Sequence, residues 1–127
     1  MAITNNVTRM LDAKGVAYAT YEFPSDDKYS AEEVASMIGL PEERVFKTIV
    51  VLRKTPGKPI LAVVPAHTEV DLKALAAAAG EKKLGVAKHA EAEAMTGLQT
   101  GGISPLALIN KGFNVWLDEG AKQPARI

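Results

Sequence analysis

The chain contains no cysteine. Disulfides, thiolate zinc sites, iron–sulfur clusters and a cysteine nucleophile supplied by the protein are excluded at once. Histidine is nearly as scarce: His67 and His89 are the only two in 127 residues, and no His-Glu-x-x-His spacing occurs. Neither a protein-held metal nor another cofactor is expected. Charge of one sign is also missing, because fifteen Lys and Arg balance fifteen Asp and Glu. That removes the electrostatic drive of a general nucleic-acid binder, although a small basic patch could still meet one end of an RNA. No apolar run approaches the ~20 residues that span a bilayer, and no charged start leads into a secretory apolar segment. The expectation is a cytoplasmic protein with no membrane association. Linkers and internal repeats are absent too, so residues 1–127 are expected to form one domain. Hydrophobic residues make up 47% and charged residues 24%. That composition suits a folded core and not a disordered chain.

What is present begins with punctuated helices. Asn6 to Lys14 places Val7, Met10 and Leu11 on one face before Gly15 ends the run. Ser30 and Glu33 have the spacing of a capping box; Val34, Met37 and Ile38 follow on one face, and Gly39 terminates the helix. Asp71 offers an N-cap oxygen to the alanine-rich run from Leu72, which Gly80 closes. A weaker helical stretch spans about His89 to Thr96. Strands are expected at Val16–Phe23, Ile60–Pro65 and Asn114–Asp118. Thr55-Pro56-Gly57-Lys58 reads as the turn of a hairpin. The alternation of helices and hairpins predicts an α/β or α+β domain on a mixed, largely antiparallel sheet.

The strand Val45 to Leu52 is apolar on both parities, as befits a central strand covered on both faces. Lys47 interrupts it, on the face of Val45, Ile49 and Val51. Burying an unpaired ammonium costs several kcal/mol, so two readings stand. The flexible stem reaches water at the sheet edge, or this part of the strand walls a cleft where the ammonium meets a carboxylate, phosphate or developing oxyanion.

Gly101-Gly102-Ile103-Ser104-Pro105 is the second unusual feature. Paired glycines permit backbone conformations and close approaches closed to other residues, and Pro105 biases Ser104 toward extended geometry. The loop is either a tight connection or a ligand cradle. It matches neither a dinucleotide fingerprint nor a P-loop. Ser104 lacks the context of a nucleophile elbow, and neither histidine is marked as its base. Asp26 and Asp27 read as solvated loop residues, Lys82, Lys83 and Lys88 as a solvated face, and His67 as a surface or packing histidine.

Together, Val45-Phe46-Lys47-Thr48 and Thr96-Gly-Leu-Gln-Thr-Gly-Gly-Ile-Ser-Pro-Leu106 resemble the YbaK family of aminoacyl-tRNA deacylases. That superfamily also contains the editing domain inserted in bacterial prolyl-tRNA synthetases. The resemblance extends through the opening helix, the Ser30 helix, the hairpin, Val70-Asp71-Leu72-Lys73 and Asn114 to Asp118, nearly the whole chain. It implies a curved, mixed, largely antiparallel sheet flanked by helices, with a cleft between the lysine strand and the Gly-Gly loop. It also implies hydrolysis of the ester joining a wrong amino acid to the 3′ adenosine of a tRNA. Carried over by motif, Lys47 is the catalytic residue, and Gly101, Gly102, Ile103, Ser104 and Pro105 shape the substrate pocket, with Phe46 and Thr48 beside the lysine. The Gly-Gly-Ile-Ser-Pro-Leu form is similar to the branch associated with Cys-tRNA(Pro). Deacylation of Ala-, Ser- or Thr-tRNA is the neighbouring reading, and a non-catalytic nucleotide- or aminoacyl-binding module is the competing class. The implied partners are the aminoacyl-tRNA acceptor end and prolyl-tRNA synthetase, and the protein itself is expected to be a monomer. Members of the family continue past the Trp116 strand, so the expectation is a shortened member or an incomplete chain.

The chemistry suits the inventory. An aminoacyl ester is already activated, so its hydrolysis calls for positioning and charge stabilisation more than for a strong protein nucleophile. The expectation is that Lys47 and backbone N–H groups near Gly101 and Gly102 stabilise the oxyanion. The resemblance implies attack by the substrate's own thiol, giving a cyclic thioester, with water attacking other aminoacyl esters. Neutral overall charge predicts few phosphate contacts and a shallow salt dependence of tRNA binding.

Overall fold

Capping chemistry delimits the helices. The computed structural model describes residues 5–23, 29–99, 102–109, 111–124 and 126–127. Helix α1, Asn6–Ala13, starts where the Asn5 side chain accepts from the Thr8 N–H and the Thr8 hydroxyl accepts from the Asn5 N–H. Helix α2, Ala31–Ile38, carries the expected box: Ser30 Oγ accepts from Glu33 N–H, and Glu33 Oε1 accepts from Ser30 N–H. Gly39 then turns left-handed at φ +72°. Helix α3, Leu72–Ala79, is capped by Asp71 and closed by left-handed Gly80. Helix α4, His89–Thr96, ends at left-handed Gly97.

Four strands form one sheet. They are β1 Phe46–Arg53, β2 Ile60–Pro65, β3 Leu84–Val86 and β4 Asn114–Leu117, in the order β3-β1-β2-β4. β1 and β2 make an antiparallel hairpin, with Val50 opposite Leu61 and Val51 opposite Ile60. β3 is antiparallel to β1, and β4 is parallel to β2. The mixed, largely antiparallel sheet expected from the sequence is present. β3 went unforeseen, because three residues are too few to show a period. Val16–Phe23, expected as a strand, pairs with no described strand of the sheet. Its aromatics pack side-on instead: the Tyr18 hydroxyl donates to Asp12 at 2.9 Å, and Phe23 meets Tyr29 edge-to-face. Apart from half-buried Tyr18, the stretch lies exposed, so its β-forming composition is spent on neither a ladder nor the core.

Both sheet faces are covered, as the two-sided apolar pattern of β1 requires. On one face Val51, Ile60, Ala62 and Leu84 pack with Ala76 of α3. On the other, Val50 and Leu61 pack with Ala92 of α4, Ala87 and Leu108. Val51 and Leu61 are fully buried. β4 forms an outer edge and leaves Val115, Trp116 and Leu117 exposed. No helix among the described residues is long and apolar enough to cross a membrane.

Candidate active site

The position of the site follows from where β3 stops. Its last ladder bond is Ala87 N–H to Val50 C=O. At the next residue the backbone leaves the sheet, because Lys88 N–H donates to the Glu91 carboxylate at 3.1 Å and so begins α4. β1 continues for four more residues, Phe46 to Ile49, with β2 on one side and no described strand on the other. Antiparallel alternation sends the N–H and C=O of Thr48 and Phe46 to the same edge as those of Val50. Among the described residues no backbone bond is made there by Thr48 or Phe46.

A cleft of about 480 Å³ runs along this open edge. Val45, Phe46, Lys47, Thr48 and Ile49 all line it. Five consecutive residues of both parities line one cavity when the cavity follows a strand edge, since successive side chains point to opposite faces. The first turn of α2 contributes Ser30, Ala31 and Glu32 to another wall. Phe23 and Tyr29 add two rings whose centroids lie 6.2 Å apart. Ala66, His89 and Ile103 close the remainder.

Lys47 is half-buried, and its Nζ donates to the Ala66 carbonyl at 3.1 Å. That bond fixes the ammonium at the end of β2. Two of its three N–H donors remain for a ligand. Ala66 is itself held, because its N–H donates to the Val45 carbonyl at 2.7 Å. The lysine that broke the apolar pattern therefore lies in a cleft, with its position set by the backbone of the neighbouring strand.

The other anticipated residues divide. Phe46, Thr48 and Ile103 line the cleft with Lys47. Gly101 lies outside the described residues, as do Asp26 and Asp27. Gly102 departs from expectation in two ways. Its backbone is not in the left-handed region, and a Cβ there would meet only the Gln99 carbonyl at 3.5 Å, so neither conformation nor internal packing requires a glycine. Its N–H donates to Gln99 C=O at 2.8 Å, which removes it from the set of free oxyanion donors. Ser104 Oγ accepts from Leu106 N–H at 3.2 Å, and Pro105 opens the following turn by accepting from Leu108 N–H. Both shape the loop and stand outside the cleft lining.

His89 and Glu32 were not anticipated as site residues. His89 follows the strand that stops short, so reaching it from sequence needs the β1–β3 register. Glu32 sits beside Glu33 in a capping motif, and its neighbour's role hid its own. His67 lies in the exposed turn after β2 and does not line the cleft. Lys82, Lys83 and Lys88 are exposed. Among the described residues no group of three His, Asp or Glu is placed to hold a metal.

Smaller clefts lie beside this one and at the far end of the hairpin. One of about 330 Å³ shares Val45 and Phe46 and is lined by Tyr18 and Tyr21. The Tyr18 hydroxyl there has its pKa raised, chiefly by its hydrogen bond to the Asp12 carboxylate. The other, about 290 Å³, lies near β4 and the Arg53–Glu81 ion pair.

Comparison with known proteins supplies the remaining observations. The family model described as an aminoacyl-tRNA editing domain matches residues 25–127. A protein of Enterococcus faecalis named "Putative Cys-tRNA(Pro)/Cys-tRNA(Cys) deacylase EbsC" is 42% identical over 123 residues, which are 96% of this chain and 74% of that one. The crystal structure of a hypothetical protein superposes with a TM-score of 0.72 at 24% identity, covering 89% of this chain and 71% of the other. The crystal structure titled "a putative trans-editing enzyme for prolyl tRNA synthetase" gives a TM-score of 0.68 at 22% identity, covering 93% and 74%. At these identities the two structures establish a shared fold.

Proposed function

The chain belongs to the aminoacyl-tRNA editing domain family, and from that premise we propose that it deacylates Cys-tRNA(Pro) with Lys47 as the catalytic residue. The observation that carries this reading is the Lys47 ammonium, braced by the Ala66 carbonyl inside a cleft on the open edge of β1. The ester's reacting carbonyl develops negative charge as it is attacked, and an ammonium already fixed in a half-buried cleft stabilises that charge with little reorganisation. The substrate thiolate forms the new C–S bond, the ester C–O bond breaks, and the departing 3′ oxygen takes up a proton. Water then opens the cyclic thioester. Phe46, Thr48 and Ile103 wall the aminoacyl group. Gly102, Ser104 and Pro105 shape the loop that carries Ile103, and Gly101 belongs to the same motif in the sequence.

Editing in trans has an energetic rationale. A synthetase pocket separates amino acids that differ by a methylene-sized group by only ~1–3 kcal/mol, so a second hydrolytic sieve improves fidelity. We place the protein in the cytoplasm as a monomer that samples the acceptor end, with prolyl-tRNA synthetase as its partner. The test is a deacylation panel of Cys-, Ala-, Ser- and Thr-tRNA, assayed with the wild type and Lys47→Ala. Fastest turnover of Cys-tRNA(Pro), lost in the variant, supports the reading. Preference for another amino acid reassigns the substrate, and turnover of none supports a binding module.

A further inference from the structure

We propose that Glu32 binds the α-ammonium of the aminoacyl group, so that the cleft selects esters with a free amine over N-acylated ones. The proposal rests on the deacylase reading and names a substrate feature within it. Among the described residues lining the cleft, Glu32 supplies the single carboxylate and Lys47 the single lysine. The neighbouring Glu33 is occupied, with its Oε1 on Ser30 N–H at 2.9 Å. Glu32 makes no hydrogen bond or ion pair with another described residue. The capping box explains why the two adjacent acids differ: the box uses the third helical residue and leaves the second on the cleft side of the first turn.

The bound substrate has matching polarity. An aminoacyl ester carries a cationic amine one carbon from the carbonyl, while the reacting oxygen and the nucleotide phosphate are negative. Lys47 attracts the negative groups and repels the amine. Glu32 does the reverse, so the two charges together set which way the aminoacyl group enters. The outward carbonyls of Thr48 and Phe46, on the unpaired edge of β1, are further acceptors suited to an ammonium with three N–H donors. N-acylation removes the charge and two donors. It also adds bulk beside a carboxylate left without a partner. The cleft thereby distinguishes a charged amino acid from a peptidyl or formylated ester, whatever the side chain.

The test uses the full chain and two non-hydrolysable probes: adenosine carrying cysteine in amide linkage at a 3′-amino group, with the α-amine free or acetylated. Wild-type protein is expected to bind the free-amine probe about fivefold to tenfold more tightly, the range of one charged contact at a partly exposed site. Glu32→Gln is expected to reduce that ratio to about twofold or less, chiefly by weakening the free-amine probe, with no loss of affinity for the acetylated probe. Equal affinity of the wild type for the two probes, absence of binding to both, or a ratio unmoved by Glu32→Gln overturns the proposal. The two readings fail separately, because turnover of no charged tRNA overturns deacylation while the probe ratio still judges Glu32.

Discussion

The two ends of β1 are built from similar side chains and differ in what lies beside them. At Val50 and Val51 the strand has β2 on one edge and β3 or its last ladder bond on the other, and both residues are buried. From Phe46 to Ile49 one edge meets no strand among the described residues, and every residue is half-buried. Composition alone does not separate these segments, since Val50-Val51 and Phe46 to Ile49 are both dominated by β-branched and aromatic residues. The separation comes from Glu91, which draws the Lys88 backbone into a helix cap and ends β3 opposite Val50. A cap on one element thereby opens a cleft on another. The buried end supplies rigidity, and the open end supplies unpaired backbone groups and a place for a charged side chain.

The largest expected effect lies at the buried end. Leu61, opposite Val50 and fully buried, joins the hairpin to the cluster under α4. Leu61→Ala should destabilise the protein by about 2–5 kcal/mol through lost transfer energy and a residual cavity. Urea unfolding checks this. A loss under 1 kcal/mol would mean that this half of the hairpin is not the rigid support described.

At the open end the expected loss is in rate. Lys47→Ala should lower deacylation of Cys-tRNA(Pro) by about 10²–10³. Stability should change much less than in Leu61→Ala, because Lys47 makes one hydrogen bond from a half-buried position. A correctly folded variant with near-wild-type turnover removes Lys47 from the reaction. The combination sharpens the contrast: one substitution should weaken the fold without touching the cleft, and the other should silence the cleft without weakening the fold.

How much of this was legible in the sequence depends on the range of the interactions. Caps at Ser30, Asp71, Gly39 and Gly80 are local chemistry, and each stands where the sequence put it. The hairpin was readable from its turn and its two apolar runs. Lys47 was readable as a violation of pattern, which locates a residue without saying what it faces. The unpaired course of Val16–Phe23 was hidden, because strand composition does not reveal whether a partner exists. His89 and Glu32 were hidden for a related reason: their places in the cleft depend on a three-residue strand and on which acid a capping box consumes. Gly102 illustrates the opposite error, in which a glycine suggests a special backbone and the chain adopts an ordinary one.

The smallest expected effect concerns the loop that meets the open end. Ser104 carries a hydroxyl near the cleft in sequence, and a nucleophilic serine would make the reaction depend on it by several orders of magnitude. The structure gives that hydroxyl a local task, accepting from Leu106 N–H two residues on. Such a bond biases the loop toward one conformation, and its removal leaves an exposed N–H that water can satisfy. Ser104→Ala should therefore cost at most about 1 kcal/mol and slow deacylation by no more than about threefold, through looser placement of Ile103. Single-turnover kinetics on Cys-tRNA(Pro), with kcat and KM compared separately, make the distinction. A thousandfold fall in kcat at unchanged stability would transfer the chemistry from the open edge of β1 to the loop, and would reverse the division of labour between strand and loop drawn above.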